Sequence, residues 1–257
     1  MSIAGDAGLR QFGLQYAGRP VAGYLFMPAV LGISLAALLI WLAGYDLDSI
    51  ESRRLNADFL RTAAIEHLRL TLVSTALVLV IAVPIGIVMT RPLMSRVTSP
   101  AITVFNIGQA TPSIGLVALF ALIWTIGFWP AIAALVAYSA LPVLRNTMVG
   151  LQQVDSTIIE SARGMGLSRI SVLTRIELPL AVPVILAGVR TALVINVGTA
   201  ALATFINGGG LGDVINAGIV TSRPLITFVG AALTAMLALA VDYTAGVIED
   251  VLRPRGL

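Results

Sequence analysis

Apolar runs of about 20 residues recur along this chain, each long enough to cross a bilayer as a helix. The first, Tyr24 to Ala43, carries no charge. Of the 257 residues, 58% are hydrophobic and 11% are charged, against roughly 25% charged in a soluble domain. So few charges cannot cover a water-facing exterior, so the bilayer is part of the solvent. Six spans of about 20 residues use about half the chain, leaving short connections and no room for a second soluble domain.

The expected organisation is all-α, with about six membrane helices. A short segment (1–23) with Arg10 and Arg19 lacks the apolar core and small-residue cleavage site of a signal peptide. The first span (24–43) precedes a polar stretch (44–66) with acids at Asp46, Asp48, Glu51, Asp58 and Glu66. Further spans are expected over 68–90, 131–149, 183–206 and 225–248. Residues 97–126 are apolar but too long for one straight span, and Asn106-Ile107-Gly108-Gln109-Ala110-Thr111-Pro112-Ser113 interrupts them. A broken or strongly kinked helix is expected there. The segments left between spans are the polar loop 152–178 and the Gly-rich loop 207–224.

Arginine placement sets the expected orientation. Arg10, Arg19, Arg91, Arg96, Arg145, Arg163, Arg169, Arg175, Arg253 and Arg255 fall on one side; Arg53, Arg54, Arg61, Arg69 and Arg223 fall on the other. The richer side is expected to be cytoplasmic, with both termini on it. The same scatter explains the basic isoelectric point without nucleic acid.

Absent residue types remove function classes. All 16 basic residues are Arg, so no Walker A lysine and no Schiff-base lysine exist on this chain. There is no Cys and a single His, His67, so no thiol nucleophile, disulfide or Cys/His metal site is available. No catalytic residue and no resident cofactor or metal is expected.

The polar loop carries the strongest local pattern. Thr157-x-x-Glu160 has capping-box spacing. Ile158, Ile159, Ala162 and Met165 share a helical face, and Gly166 suits a helix stop. Ser168 is placed to cap a second helix whose apolar residues are Ile170, Leu173 and Ile176, before Pro179 opens the next span. An amphipathic helix–turn–helix of this kind is expected to dock on something.

Glu160-Ser161-Ala162, Gly166 and Ile176-x-Leu178-Pro179 resemble the EAA motif of ABC importer permeases, E-A-A-x-x-x-G-x(9)-I-x-L-P, with Ser161 for the first Ala. The resemblance runs from about His67 to the C-terminus. The stretches around Gln109-Ala110-Thr111-Pro112-Ser113, Leu144-Arg145-Asn146-Thr147 and Asn207-Gly208-Gly209-Gly210 look like the glycine betaine, choline and carnitine (osmoprotectant) branch. It implies a five-helix type I importer core over 67–257, preceded by one extra helix. It also implies that Glu160, Ser161, Ala162, Arg163 and Gly166 couple this chain to an ATPase. The implied partners are two ATPase subunits, which carry the ATP and Mg, a second permease that is a copy or a paralogue, and an extracytoplasmic binding protein. The implied location is a bacterial or archaeal cell membrane. Permeases for other small solutes, such as amino acids or sulfonates, share the motif. A self-powered secondary transporter is the competing class, and it lacks visible repeat symmetry here.

Other polar residues inside spans have two readings each. Asn106, Gln109, Thr111, Pro112 and Ser113 line a substrate path or make a structural kink. Asn196 and Thr199 line that path or bond between helices. Arg190 and Asp242 lie at matching depth from the same side and are expected to form an ion pair. The resemblance implies that the glycines of 208–212 are an outward loop near the gate, a permissive turn being the other reading, and His67 is expected at the interface. Aromatics are only 6% of the chain, whereas a quaternary ammonium is held tightly by an aromatic cage. The selective site is therefore expected on the separate binding protein.

Overall fold

The computed structural model describes residues 21–252, and these are helical with short connections. The chain divides into two units, residues 1–45 and 46–257. In the first, helix α1 (Val21–Ala43) absorbs Pro28, and Trp41 stacks edge-on against Tyr45 at 4.9 Å. Arg10, Arg19, Arg253 and Arg255, on which the orientation of the termini partly rests, lie outside the described residues.

The second unit is built on three long helices: α3 (Ala57–Met89), α6 (Phe128–Gln152) and α9 (Leu178–Ala200). Helix α6 is the most enclosed. Ile132, Leu135, Leu141, Val143 and Leu144 are all buried, and they meet Leu70 and Val78 of α3 and Ala192 of α9. Small residues set the spacing. A Cβ on Gly86 would lie 2.8 Å from Thr147 Cβ, and one on Gly188 would lie 2.7 Å from Asn146 Cβ. In lipid, such close backbone approach replaces the hydrophobic effect as the glue between helices.

The second span begins earlier than the sequence suggests. Helix α3 starts at Ala57, capped by the Asn56 side chain, and so takes in residues 57–66 of the polar stretch. A six-residue helix α2 (Ser49–Arg54) precedes it, capped by Asp48, whose carboxylate accepts from the Ile50 and Glu51 amides at 2.8 Å. The Glu51 amide first, then that of Ile50 and the Arg223 guanidinium, holds the Asp48 carboxyl below the usual range.

The interrupted segment is a broken helix. Helix α4 (Ser95–Ala110) and helix α5 (Ser113–Ile123) meet at Thr111–Pro112 with a bend of 100°. Pro112 has no N–H to continue α4. Both halves lie along α6. Helix α10 (Leu211–Val220) and helix α11 (Pro224–Leu252) close the unit as a hairpin. Among the described residues, five helices are long and apolar enough to cross a membrane, or six if the bent pair counts as one.

Candidate functional site

The polar loop folds as an elbow. Helix α7 (Ser156–Gly164) follows α6 after three residues, and α8 (Arg169–Val172) leads through a π turn (Leu173–Glu177) into α9 without a break. The spanning helix thus starts at Arg169, not Pro183. The cap of α7 is Asp155, whose carboxylate accepts from the Thr157 amide at 2.8 Å and is held below its ordinary pKa by that bond. The expected Thr157–Glu160 capping box does not form. Asp155 stands two residues nearer the end of α6 and takes the cap first. Glu160 is therefore exposed and free of a capping role.

Gly166 does what its position implies. Its φ is +86°, and the turn has the paired bonds of a Schellman stop: Gly166 N–H to Arg163 O at 2.9 Å, and Leu167 N–H to Ala162 O at 3.2 Å. Ser168 caps α8 through the Ser171 amide at 3.2 Å. Ala162 is buried, while Ser161, Arg163 and Gly166 are exposed with Glu160. Of the apolar face, Ile159 is half-buried, and Ile158 (46%), Met165 (74%) and Ile170 (75%) face outward. An exposed apolar set beside a charge pair on a sharply fixed turn is a surface that fits a partner.

An ion pair ties the elbow to the bundle. Arg91, just past α3, donates from Nη2 to Glu177 Oε2 at 2.6 Å and from Nη1 to Oε1 at 3.4 Å. Glu177 is almost fully buried, so losing one partner of this pair costs on the order of 3 kcal/mol. The elbow is thus joined to α9 through the continuous helix and to α3 through Arg91.

The other sequence candidates lie deeper and do not form one cluster. Arg190 and Asp242 make a bidentate pair, Nε to Oδ1 at 2.6 Å and Nη2 to Oδ2 at 2.7 Å, with Glu249 3.7 Å from Nη1. It joins α9 to α11. Asn196 is buried and donates to Thr75 Oγ1 at 2.9 Å, binding α9 to α3; its own Oδ1 has no partner among the described residues. The Thr199 hydroxyl turns back to Ile195 O at 2.7 Å. At the helix break, Thr111 likewise bonds Ile107 O at 2.7 Å. Gln109 and Ser113 are half-buried, Pro112 is exposed, and Asn106 Oδ1 accepts from Arg145 Nη2 at 2.8 Å.

Two residues take roles that the sequence did not reveal. His67 is fully buried rather than interfacial. Its Nδ1 accepts from the Leu211 amide at 3.3 Å, which leaves Nε2 as the donor to Val197 O at 2.8 Å. Beside it, Glu66 accepts from the Gly210 amide at 3.0 Å. The pair clamps the glycine loop onto the end of α3 opposite the elbow. Gly209 and Gly210 have φ of +82° and +98°, and a Cβ on either would meet Glu66 or His67. The loop is a fixed joint rather than a permissive turn. Arg145, placed by sequence at the end of a span, instead lies inside α6, which runs on to Gln152.

Known proteins resemble this chain over most of its length. Residues 82–255 match the family described as "Binding-protein-dependent transport system inner membrane component". The choline transport system permease protein OpuBB of Bacillus subtilis (strain 168) is 41% identical over 192 residues, 75% of this chain and 88% of that one. The glycine betaine/carnitine/choline transport system permease protein OpuCB of the same organism is 40% identical, over the same shares of the two chains. Among solved structures, an inward-facing form of the MetNI methionine ABC transporter superposes with a TM-score of 0.66 at 24% identity. It covers 75% of this chain and 95% of that one, a likeness in fold.

Proposed function

As the chain belongs to the binding-protein-dependent transport system inner membrane component family, we propose that it forms the membrane path for import of a quaternary-amine compatible solute, of the choline, glycine betaine or carnitine class. Permeases of this family perform no chemistry; ATP hydrolysis belongs to a separate subunit, and a binding protein delivers the substrate. ATP and Mg reside on that ATPase. Two ATPase subunits grip two permease chains at residues 156–167, and the second permease is a copy of this chain or a paralogue. The elbow, both termini and the 91–96 turn face the cytoplasm, and residues 44–56 and the glycine loop face outward.

The observation that carries this reading is the exposed elbow itself. Ile158 and Met165 are left uncovered on a helix stopped by a left-handed glycine, Ile170 is uncovered on α8 beyond it, and Glu177–Arg91 joins the elbow to α3. Substrate class rests on the identity to the choline and glycine betaine permeases. Closure of the ATPases on bound ATP moves the elbows, and the two arms of each chain rock to open the outward face.

The test is uptake of labelled glycine betaine and choline into proteoliposomes holding this chain with its ATPase, supplied with binding protein. Uptake that requires internal ATP and the binding protein is expected. Uptake driven by an ion gradient with the ATPase left out would contradict the reading.

A further inference from the structure

Arg145 is an exposed guanidinium inside a membrane span. It lies seven residues before the end of α6 at Gln152, about 10 Å of helix. Side chains lean toward the N-terminus of their helix, which for α6 is the end away from the elbow. Arg145 therefore reaches into the bilayer rather than back to the elbow side, and its bond to Asn106 on α4 holds it there. A lone charge at that depth cannot face lipid without a large cost. It must face a wet path or another subunit.

The groups around it are donors. The guanidinium has no acceptor, so Asn106 turns Oδ1 to it and leaves its Nδ2 amide pointing away, without a hydrogen-bond partner among the described residues. Gln109 follows on the same face of α4, three residues on. No carboxylate pairs with Arg145 among the described residues. Glu177 is held by Arg91, and Asp242 and Glu249 by Arg190.

The opposite polarity lies at the break. Pro112 has no N–H, so the Gly108 carbonyl has no donor four residues on, and the end of α4 presents the negative pole of its dipole. Donors at Asn106 and Arg145 and carbonyls at the break lie about one helical turn apart.

We propose that Arg145 and Asn106 form a carboxylate subsite in the translocation path, matched to the anionic end of a zwitterionic quaternary amine. This rests on the transport reading above and adds the group that tells a betaine from an amino alcohol. Glycine betaine and carnitine have a carboxylate to offer; choline has none. Hydrogen bonds to a charged group are the strong ones, and the discrimination at stake is on the order of ten- to a hundredfold.

The test compares import of glycine betaine and choline by the reconstituted complex, each at saturating binding protein. In Arg145→Gln the ratio of glycine betaine to choline import is expected to fall tenfold or more. Asn106→Leu, which keeps the charge but removes its support, is expected to lower the ratio by a smaller factor. It also serves as the readout if Arg145→Gln does not assemble. Equal loss of both substrates would make Arg145 a structural or subunit contact and overturn the proposal, as would an unchanged ratio. A wild-type complex that imports neither substrate would instead overturn the transport reading itself, and the subsite with it.

Discussion

Gly166→Pro and Glu160→Lys are each expected to abolish substrate-stimulated ATP hydrolysis in the assembled complex while the chain still inserts and folds. The two act by different physics. Gly166 sits at φ +86°, and proline is confined near −65°. Proline also removes the N–H that bonds Arg163 O. The stop is lost, and α7 no longer presents its face at a fixed angle. No atom lies within 4 Å of a Cβ at this position, so Gly166→Ala is strained but not blocked, at a cost of about 1 kcal/mol, and should keep partial coupling. Glu160 is exposed and caps nothing. Its reversal leaves the fold within about 0.5 kcal/mol, so any loss of coupling reports on the partner surface. Normal stimulation in both variants would separate the elbow from the ATPase.

The second large effect concerns stability at the other end of the bundle. Gly212→Ala is expected to keep the protein from folding to its native state. Its Cβ would fall on the Ala201 carbonyl, and the backbone carbon and Cα of Ala201 lie within 3.0 Å of it as well. Backbone cannot swing aside as a long side chain can, so the cost is about 3 kcal/mol or more. The neighbouring clamp adds to this, since the Leu211 and Gly210 amides are held by His67 and Glu66. Thermal unfolding of the purified variant in detergent, read by loss of monodisperse protein, measures the effect. A melting curve like that of the wild type would mean that the joint at 207–212 is looser than described.

Local signals were legible in the sequence, and distant ones were not. The elbow is read from fixed spacing within 25 residues, and the helix break from Pro112 and its polar neighbours. Arg190–Asp242 follows from depth along two antiparallel helices, because a charge inside a span restricts its own choice of partner. The capping box at Thr157 failed because Asp155, two residues earlier, caps the helix and places Thr157 inside its first turn. His67 was misplaced for two reasons. The polar residues 57–66 read as loop, whereas tertiary packing extends α3 through them. Its partners, Val197 and Leu211, lie 130 and 144 residues away, beyond any periodicity. Arg145 looked like a span terminus because charge in sequence marks an interface, whereas here α6 continues for two more turns.

The central claim is that the 156–167 elbow is gripped by an ATPase on the inner side of the membrane. The chain contains no cysteine, so Met165→Cys provides a single thiol, on a residue that is 74% exposed. A thiol-linked photo-crosslinker at this position in the assembled complex is predicted to join the chain to the ATPase subunit. Labelling of the same thiol by a membrane-impermeant reagent added outside intact cells, with no ATPase adduct, would contradict it.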